Sequence, residues 1–199
     1  MKARTLDGRE IEIAGELLGG LKLAVRGPVL LPGDAGYEDS RTVWNAMINR
    51  HPAAVVRCVG TADVIGAVKF AREHKLLLCI KGGGHNIAGL AVADGALMLD
   101  LSLMRGVWVD KTQQIAHAQG GCLLGDVDRE TQLHGLATVL GFVSLTGIAG
   151  LTLGGGFGFL TRRWGWTSSP ASHASCGRAL TRTPISSGVC GAEAATLES

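Results

Sequence analysis

Three consecutive glycines, Gly82, Gly83 and Gly84, follow directly on an apolar run from Leu76 to Ile80 that reads as a buried strand. Lys81 stands immediately before them and His85 immediately after. Glycine admits positive φ and lets another group approach the main chain closely. Successive backbone N–H groups in such a turn can form a concave anion site suited to a pyrophosphate. A second cluster, Gly154-Gly155-Gly156-Phe157-Gly158, lies farther along the chain. Two separated glycine-rich loops suggest an extended, phosphate-containing ligand held from two sides. Glycine runs also serve as plain turns, and a histidine after a turn is often a surface residue, so the loop alone leaves both readings open. It lacks the G-x-G-x-x-G spacing of a dinucleotide-binding turn. It also lacks the G-x-x-x-x-G-K-[ST] pattern of an NTPase phosphate loop.

The rest of the chain narrows the class. Its 199 residues suffice for one domain of ordinary size, and 46% hydrophobic content permits a sizeable core. Thirty glycines exceed the usual share and fit a loop-rich, ligand-binding fold. A net charge of +2 and few aromatics give no reason to expect nucleic acid. No segment reaches the roughly 18–20 apolar residues of a membrane span. The start, Met1 to Glu12, carries both signs of charge and no signal-peptide pattern, so a cytoplasmic location is expected. Five cysteines, Cys58, Cys79, Cys122, Cys176 and Cys190, are an odd number without metal-ligand spacing. Neither a metal site nor a disulfide framework is expected, and Cys58 and Cys79 should pack as small apolar groups.

Read in order, Ile11 to Leu23 suggests a helix interrupted by Gly19-Gly20, and Pro32-Gly33-Asp34 a turn. Tyr37 to Asn45 leads into the first core elements, with Trp44 expected to pack. Ala54 to Cys58 is a short buried strand. Thr61 is the expected N-cap of a helix through Glu73, with Asp63 favourable in its first turn. Val64, Val68 and Ala71 recur at helical spacing and should face a sheet. Leu76 to Ile80 returns as a strand, so this strand–helix–strand unit opens an α+β domain. Ala96 to Leu101, Gly106 to Asp110 and Gln114 to Gln119 read as further strands. Leu124 to Leu133 has a helical pattern with Asp126 and Asp128 early, closed by Gly135. Phe142 to Gly158 is the second ligand candidate, with Ser144 and Thr146 offering hydroxyls. A helix is expected to begin within Phe157 to Trp164.

Lys81-Gly82-Gly83-Gly84-His85-Asn86 resembles the R/K-G-G-G-H-N/S loop of oxidoreductases with a PCMH-type (vanillyl-alcohol-oxidase-type) FAD-binding domain, and among them the berberine-bridge-enzyme-like group. The resemblance runs from about Leu31 to Trp166. It includes Gly33-Asp34-Ala35-Gly36-Tyr37, Val43-Trp44-Asn45, Gly125-Asp126-Val127-Asp128 and Gly150-Leu151-Thr152-Leu153-Gly154-Gly155-Gly156-Phe157-Gly158. It implies an α+β, PCMH-type fold with two small α/β subdomains, divided as a lead-in over 1–50, an incomplete FAD-binding domain over 51–166 and an unrelated tail over 167–199.

The resemblance further implies FAD as cofactor, contacted by Lys81, Gly82, Gly83, Gly84, His85, Asn86, Gly89, Leu90, Thr146, Gly147, Gly150, Gly154, Gly155, Gly156 and Gly158. In this family the histidine corresponding to His85 bonds to the 8α-methyl carbon of the flavin, which needs a neutral imidazole nitrogen as nucleophile. Many relatives add a second link through a cysteine ahead of the later glycines. Val143 stands near that position, so a single link through His85 is expected. The implied reaction is hydride removal from an alcohol, sugar or amine-like small-molecule substrate, with O2 as the electron acceptor. The catalytic base is expected in a substrate domain that this chain lacks. His117 and His134 match no motif.

Beyond Trp166 the resemblance stops, and Thr167 to Ser199 is rich in Ser, Ala and Thr without periodicity. Relatives continue with a segment resembling S-A-D-E-N-P-D-L-F-W-G-L-R-G-G-G-G-N-F-G. Codons for residues 178–197, read from each third nucleotide, permit that continuation. The expectation is a tail translated out of frame, which sequencing the coding DNA past the Trp166 codon would test. Two other readings stand beside the oxidoreductase: a non-catalytic, truncated chain without flavin, and a nucleotide-sugar reductase of the murein pathway. The last is disfavoured because those relatives bind FAD without a covalent histidine.

Overall fold

A computed structural model describes residues 1–158 and the backbone of Arg178–Leu180. The chain divides into two units, residues 1–104 and 105–199. The expected helix at Phe157 to Trp164 lies mostly outside the described residues, as does the tail apart from that backbone segment. No helix among the described residues is long and apolar enough to cross a membrane.

In the first unit, β1 (Lys2–Arg4) and β2 (Glu10–Glu12) form an antiparallel hairpin with Ala3 opposite Ile11. The helix α1 spans only Gly15–Ala24. The expected helix at Ile11 to Leu23 therefore starts too early: Ile11 lies in a strand, because pairing with the chain start satisfies its backbone. Next come β3 (Val29–Leu30), α2 (Tyr37–Arg41), β4 (Ala54–Arg57), α3 (Thr61–Glu73), β5 (Leu78–Lys81) and β6 (Leu97–Asp100). The sheet order is β3-β4-β6-β5, with β4, β6 and β5 parallel and β3 an antiparallel edge. Residues 1–50 thus supply an edge strand of this sheet.

Parallel strands are covered on both faces and read as continuous apolar runs. Ala54 to Val56 and Leu97 to Leu99 are fully buried. Their side chains alternate between two cores. Ala54, Val56, Leu97 and Leu99 pack with Leu21, Ala67, Phe70 and Ala71, while Val55 and Met98 pack with Tyr37, Val43, Cys79 and Val92. On α3 the buried stripe is Asp63, Ala67, Phe70 and Ala71. Val68, expected to face the sheet, is exposed, because the stripe passes through Ala67 instead. Cys58 and Cys79 are buried free thiols. Burial, their largest influence, pushes Cys58 up to about 12 and Cys79 up to about 11, so both stay protonated and inert.

The N-terminus of α3 also differs from expectation. Gly60, not Thr61, is the N-cap, and no side chain caps it from that position. Asp63 does the bonding instead. Its carboxylate accepts from the N–H of Val59 at 2.9 Å, of Arg26 at 2.9 Å and of Gly27 at 3.3 Å. One buried carboxylate thereby ties the helix start to the turn before β3.

In the second unit, β7 (Val107–Asp110) and β8 (Ile115–Ala118) form an antiparallel hairpin. The backbone of β9 (Arg178–Leu180) pairs antiparallel with β8. The turn is held by Asp110 Oδ1, which accepts from Thr112 N–H at 2.8 Å and Gln113 N–H at 3.0 Å. The helix α4 spans Leu124–Gln132 and α5 spans Ile148–Gly154. Ala118, Cys122, Leu124, Val127 and Ile148 form the core. Asp126 caps α4 by accepting from Leu123 N–H at 2.8 Å, and Arg105 grips it with two nitrogens at 2.8 and 2.6 Å. Burial opposes ionisation of Asp126, but the Arg105 guanidinium and the Leu123 N–H outweigh it and hold the carboxyl below its ordinary value.

Candidate functional site

Parallel β5 ends at Lys81, and the glycine loop leaves from its carboxyl end, where open α/β sheets commonly bind ligands. Among the described residues, the backbone N–H groups of Gly82, Gly83, Gly84 and His85 donate no hydrogen bond. Gly84 is buried with φ +69, a conformation that disfavours any side chain. Four consecutive free donors after a strand are what an anion cradle requires. The donors left free here are the chemistry that an anionic group would need.

A strap formed by residues 40–50 holds the loop in place. Lys81 is buried, and its ammonium donates to the carbonyls of Ser40 at 2.5 Å and Thr42 at 3.1 Å. Trp44 N–H donates to Gly84 O at 3.1 Å, and the Asn45 amide to Ile87 O at 2.9 Å. Arg50 donates to the carbonyls of Gly89 and Val92 at 3.0 and 3.1 Å. A Cβ on Gly89 would meet the Ile48 side chain at 2.7 Å. Asn86 closes the next turn, accepting from Leu90 N–H at 3.1 Å through its side chain and from Gly89 N–H at 3.0 Å through its carbonyl. The Lys81, Asn86 and Gly89 groups thus shape the loop from within, whereas the Leu90 side chain is exposed.

The charges at the strand ends form a row. Arg57, Asp100 and Lys81 stand in register across β4, β6 and β5. Asp100 is buried and accepts from Arg57 Nε at 3.1 Å and Ser102 Oγ at 2.9 Å. Burial, the largest influence, pushes the Lys81 ammonium below its ordinary value, with Asp100 opposing and Arg57 reinforcing.

His85 is half-buried, and its imidazole makes no hydrogen bond among the described residues. Its ring lies 5.5 Å from that of Trp44, inclined by 37°. Trp44 is 68% exposed, so the expectation that it packs into the core fails. The reason is local: its backbone is bonded to the glycine loop, which turns the indole outward beside His85.

The second glycine cluster separates into two kinds of position. Adding a Cβ at Gly150, Gly154 or Gly155 meets nothing within 4 Å. At Gly156 it would lie 2.2 Å from Leu151 Cδ1, and at Gly158 1.7 Å from Leu140 O. The first three leave open backbone, while the last two serve close packing within the chain. Thr146 is engaged through its backbone, donating to Val143 O at 3.0 Å and accepting from Leu124 N–H at 2.9 Å. Gly147 is buried beside Leu123 and is the N-cap of α5. Ile148 to Gly154, expected as part of an extended ligand loop, is helical.

Residues 52–172 match the family described as FAD binding domain. Over 146 residues the chain is 36% identical to (R)-6-hydroxynicotine oxidase of Paenarthrobacter nicotinovorans, covering 73% of this chain and 32% of that protein. It is 35% identical over 135 residues to glucooligosaccharide oxidase of Sarocladium strictum, covering 66% and 27%. Its fold matches the crystal structure of 6-hydroxy-D-nicotine oxidase from Arthrobacter nicotinovorans with a TM-score of 0.69 at 34% identity, over 75% of this chain and 32% of that one. It matches Physcomitrella patens BBE-like 1 with a TM-score of 0.67 at 27% identity, over 74% and 32%. The chain belongs to the PCMH-type family of FAD-binding domains, within the berberine-bridge-enzyme-like FAD-linked oxidoreductases. It spans about a third of the length of these relatives.

Proposed function

We propose that this chain is the FAD-holding part of an oxidoreductase and that it fixes the flavin by one covalent bond through His85. The observation that carries the reading is the run of unbonded N–H groups at Gly82, Gly83, Gly84 and His85, ending on an imidazole with no hydrogen-bond partner among the described residues. The four N–H groups would receive pyrophosphate oxygens, and the ring nitrogen of His85 would serve as nucleophile. Lys81, Asn86 and Gly89 would act by holding the loop in shape, and Leu90 by offering an apolar surface. Thr146, Gly147, Gly150, Gly154, Gly155, Gly156 and Gly158 supply the second segment. Gly150, Gly154 and Gly155 are the positions open for direct contact, and Gly156 and Gly158 keep the backbone tightly folded.

When bound, the flavin accepts a hydride equivalent from substrate and passes two electrons to an acceptor. Joining His85 to its methyl carbon forms an N–C bond at the expense of one C–H and one N–H. The two electrons and two protons released in that step would be left for the bound flavin, and then for dioxygen, to take up. The relatives named as nicotine and glucooligosaccharide oxidases point to an amine-like or sugar substrate, with O2 as acceptor. Val143 stands where a second, cysteine-based link would be needed, so the attachment is single.

The test is to express the chain with FAD, denature it in acid and look for flavin fluorescence in the protein band. The wild type is expected to keep its fluorescence, and His85→Ala to lose at least about 95% of it. Flavin that washes away on denaturation of the wild type sinks the covalent bond but keeps the FAD site. No flavin at any stage favours the non-catalytic, flavin-free chain.

A further inference from the structure

We infer that Trp44 is a positioning residue for His85, and that its indole holds the imidazole in the orientation from which it is joined to the flavin. The inference rests on the covalent reading above and adds a residue to it. Trp44 is a large apolar side chain left 68% exposed, although its neighbour Val43 is buried in the core. Its backbone is held against the glycine loop. Trp44 N–H donates to Gly84 O, and the next residue, Asn45, donates to Ile87 O, so the strap is bonded to the loop on both sides of His85. The indole is thereby delivered to the imidazole, with centroids 5.5 Å apart and planes inclined by 37°. That separation lies within the range of attractive ring pairs.

This contact has a consequence for reactivity. The His85 imidazole has no hydrogen bond among the described residues to fix its rotation. The indole is the described ring that restricts it. A nucleophile reacts fast only when held close to its attack geometry, and loss of such restraint costs up to about a hundredfold in rate. An aliphatic residue at position 44 would still fill space, but it would lack a flat face for the ring to lie against.

The experiment compares wild type, Trp44→Ala, Trp44→Phe and His85→Ala as full chains loaded with FAD. Two quantities are read: total flavin bound under native conditions, and the rate at which denaturation-resistant flavin accumulates. Trp44→Ala is expected to bind total flavin within about twofold of wild type but to attach it at least about tenfold more slowly. Trp44→Phe is expected to recover most of the rate. In the flavin-free chain, the His85 ring protons should show an upfield ring-current shift in the NMR spectrum that Trp44→Ala removes.

Attachment by Trp44→Ala at the wild-type rate overturns the inference. So does a Trp44→Phe rate no better than that of Trp44→Ala, since the ring face would then be irrelevant. A parallel loss of bound and attached flavin in Trp44→Ala also overturns it, showing a merely structural role. Wild-type chain that binds but never attaches flavin defeats the covalent reading itself. In that case the ring-proton shift alone decides whether Trp44 orients His85, and random-coil shifts in the wild type count against it.

Discussion

Asp63→Ala is expected to destabilise the first unit by about 4 kcal/mol, seen as a large fall in the urea midpoint of unfolding. The carboxylate is 1% exposed and accepts three backbone hydrogen bonds, from Arg26, Gly27 and Val59. Alanine removes the acceptor and strands three N–H donors, each of which costs about 1–3 kcal/mol when buried without a partner. No other side chain caps the start of α3, so nothing replaces what is lost. The ionised state also gives the effect a pH signature. Burial works to raise the Asp63 pKa, but the three N–H groups and the nearby Arg26 charge prevail and hold it below the ordinary value. A carboxyl with a lowered folded-state pKa adds stability above its unfolded value of about 4 and loses it as pH falls through the folded value. The wild type should therefore weaken below about pH 4, and Asp63→Asn should flatten that decline. An Asp63→Ala midpoint equal to wild type, or an acid profile unchanged in Asp63→Asn, would contradict this account.

Asp63 also marks where the sequence stopped being legible. The extent of α3, Thr61–Glu73, is readable from its pattern. The full bonding at its start is not, because two of the three partners of Asp63, Arg26 and Gly27, lie in a turn far back in the chain. Strands β4 and β6 are legible because parallel strands buried on both faces leave unbroken apolar runs. Strand β5 shares the apolar run but lies at the sheet edge, where Ile80 is 51% exposed rather than buried as its sequence suggests. The order β3-β4-β6-β5 is not, since nothing local in Leu97–Asp100 says that it inserts between β4 and β5. Ile11 reads as helical for a related reason: its strand character comes from pairing with Lys2–Arg4.

The candidate site divides along the same line. Gly82-Gly83-Gly84-His85 is visible as a motif, because a free row of N–H groups needs the glycines in succession. The exposure of Trp44 is not legible, since a tryptophan among Val43, Met47 and Ile48 reads as core. Its 68% exposure emerges only in the fold, where the strap is bonded to the loop. Gly156 and Gly158 have a second reason to be glycine. They look like ligand glycines in sequence, yet Leu151 and the Leu140 carbonyl already occupy the space beside them.

Lys81→Met is expected to cost about 3 kcal/mol and to lower the melting temperature by roughly 10–15 °C. Methionine matches the length of the lysine stem but donates nothing. The carbonyls of Ser40 and Thr42 lose the ammonium that draws them together, and Asp100 loses one of the two cations in register with it. Arg57 still pairs with Asp100 at 3.1 Å, which keeps the penalty below that of a fully orphaned buried charge. The functional effect travels along the strap. With Ser40 and Thr42 released, the Trp44 N–H bond to Gly84 O and the Asn45 bond to Ile87 O lose their anchor. Amide exchange at Trp44 should accelerate more than that in β4, which is held by its ladder with β6. Flavin retention should fall with it, although the Lys81 side chain is buried and its ammonium is spent on the Ser40 and Thr42 carbonyls. Lys81→Arg is not expected to rescue, because a planar guanidinium is wider than the ammonium gripped between two carbonyls. An unchanged melting temperature, or faster exchange spread evenly through the sheet, would show that the loop holds its shape without this clamp.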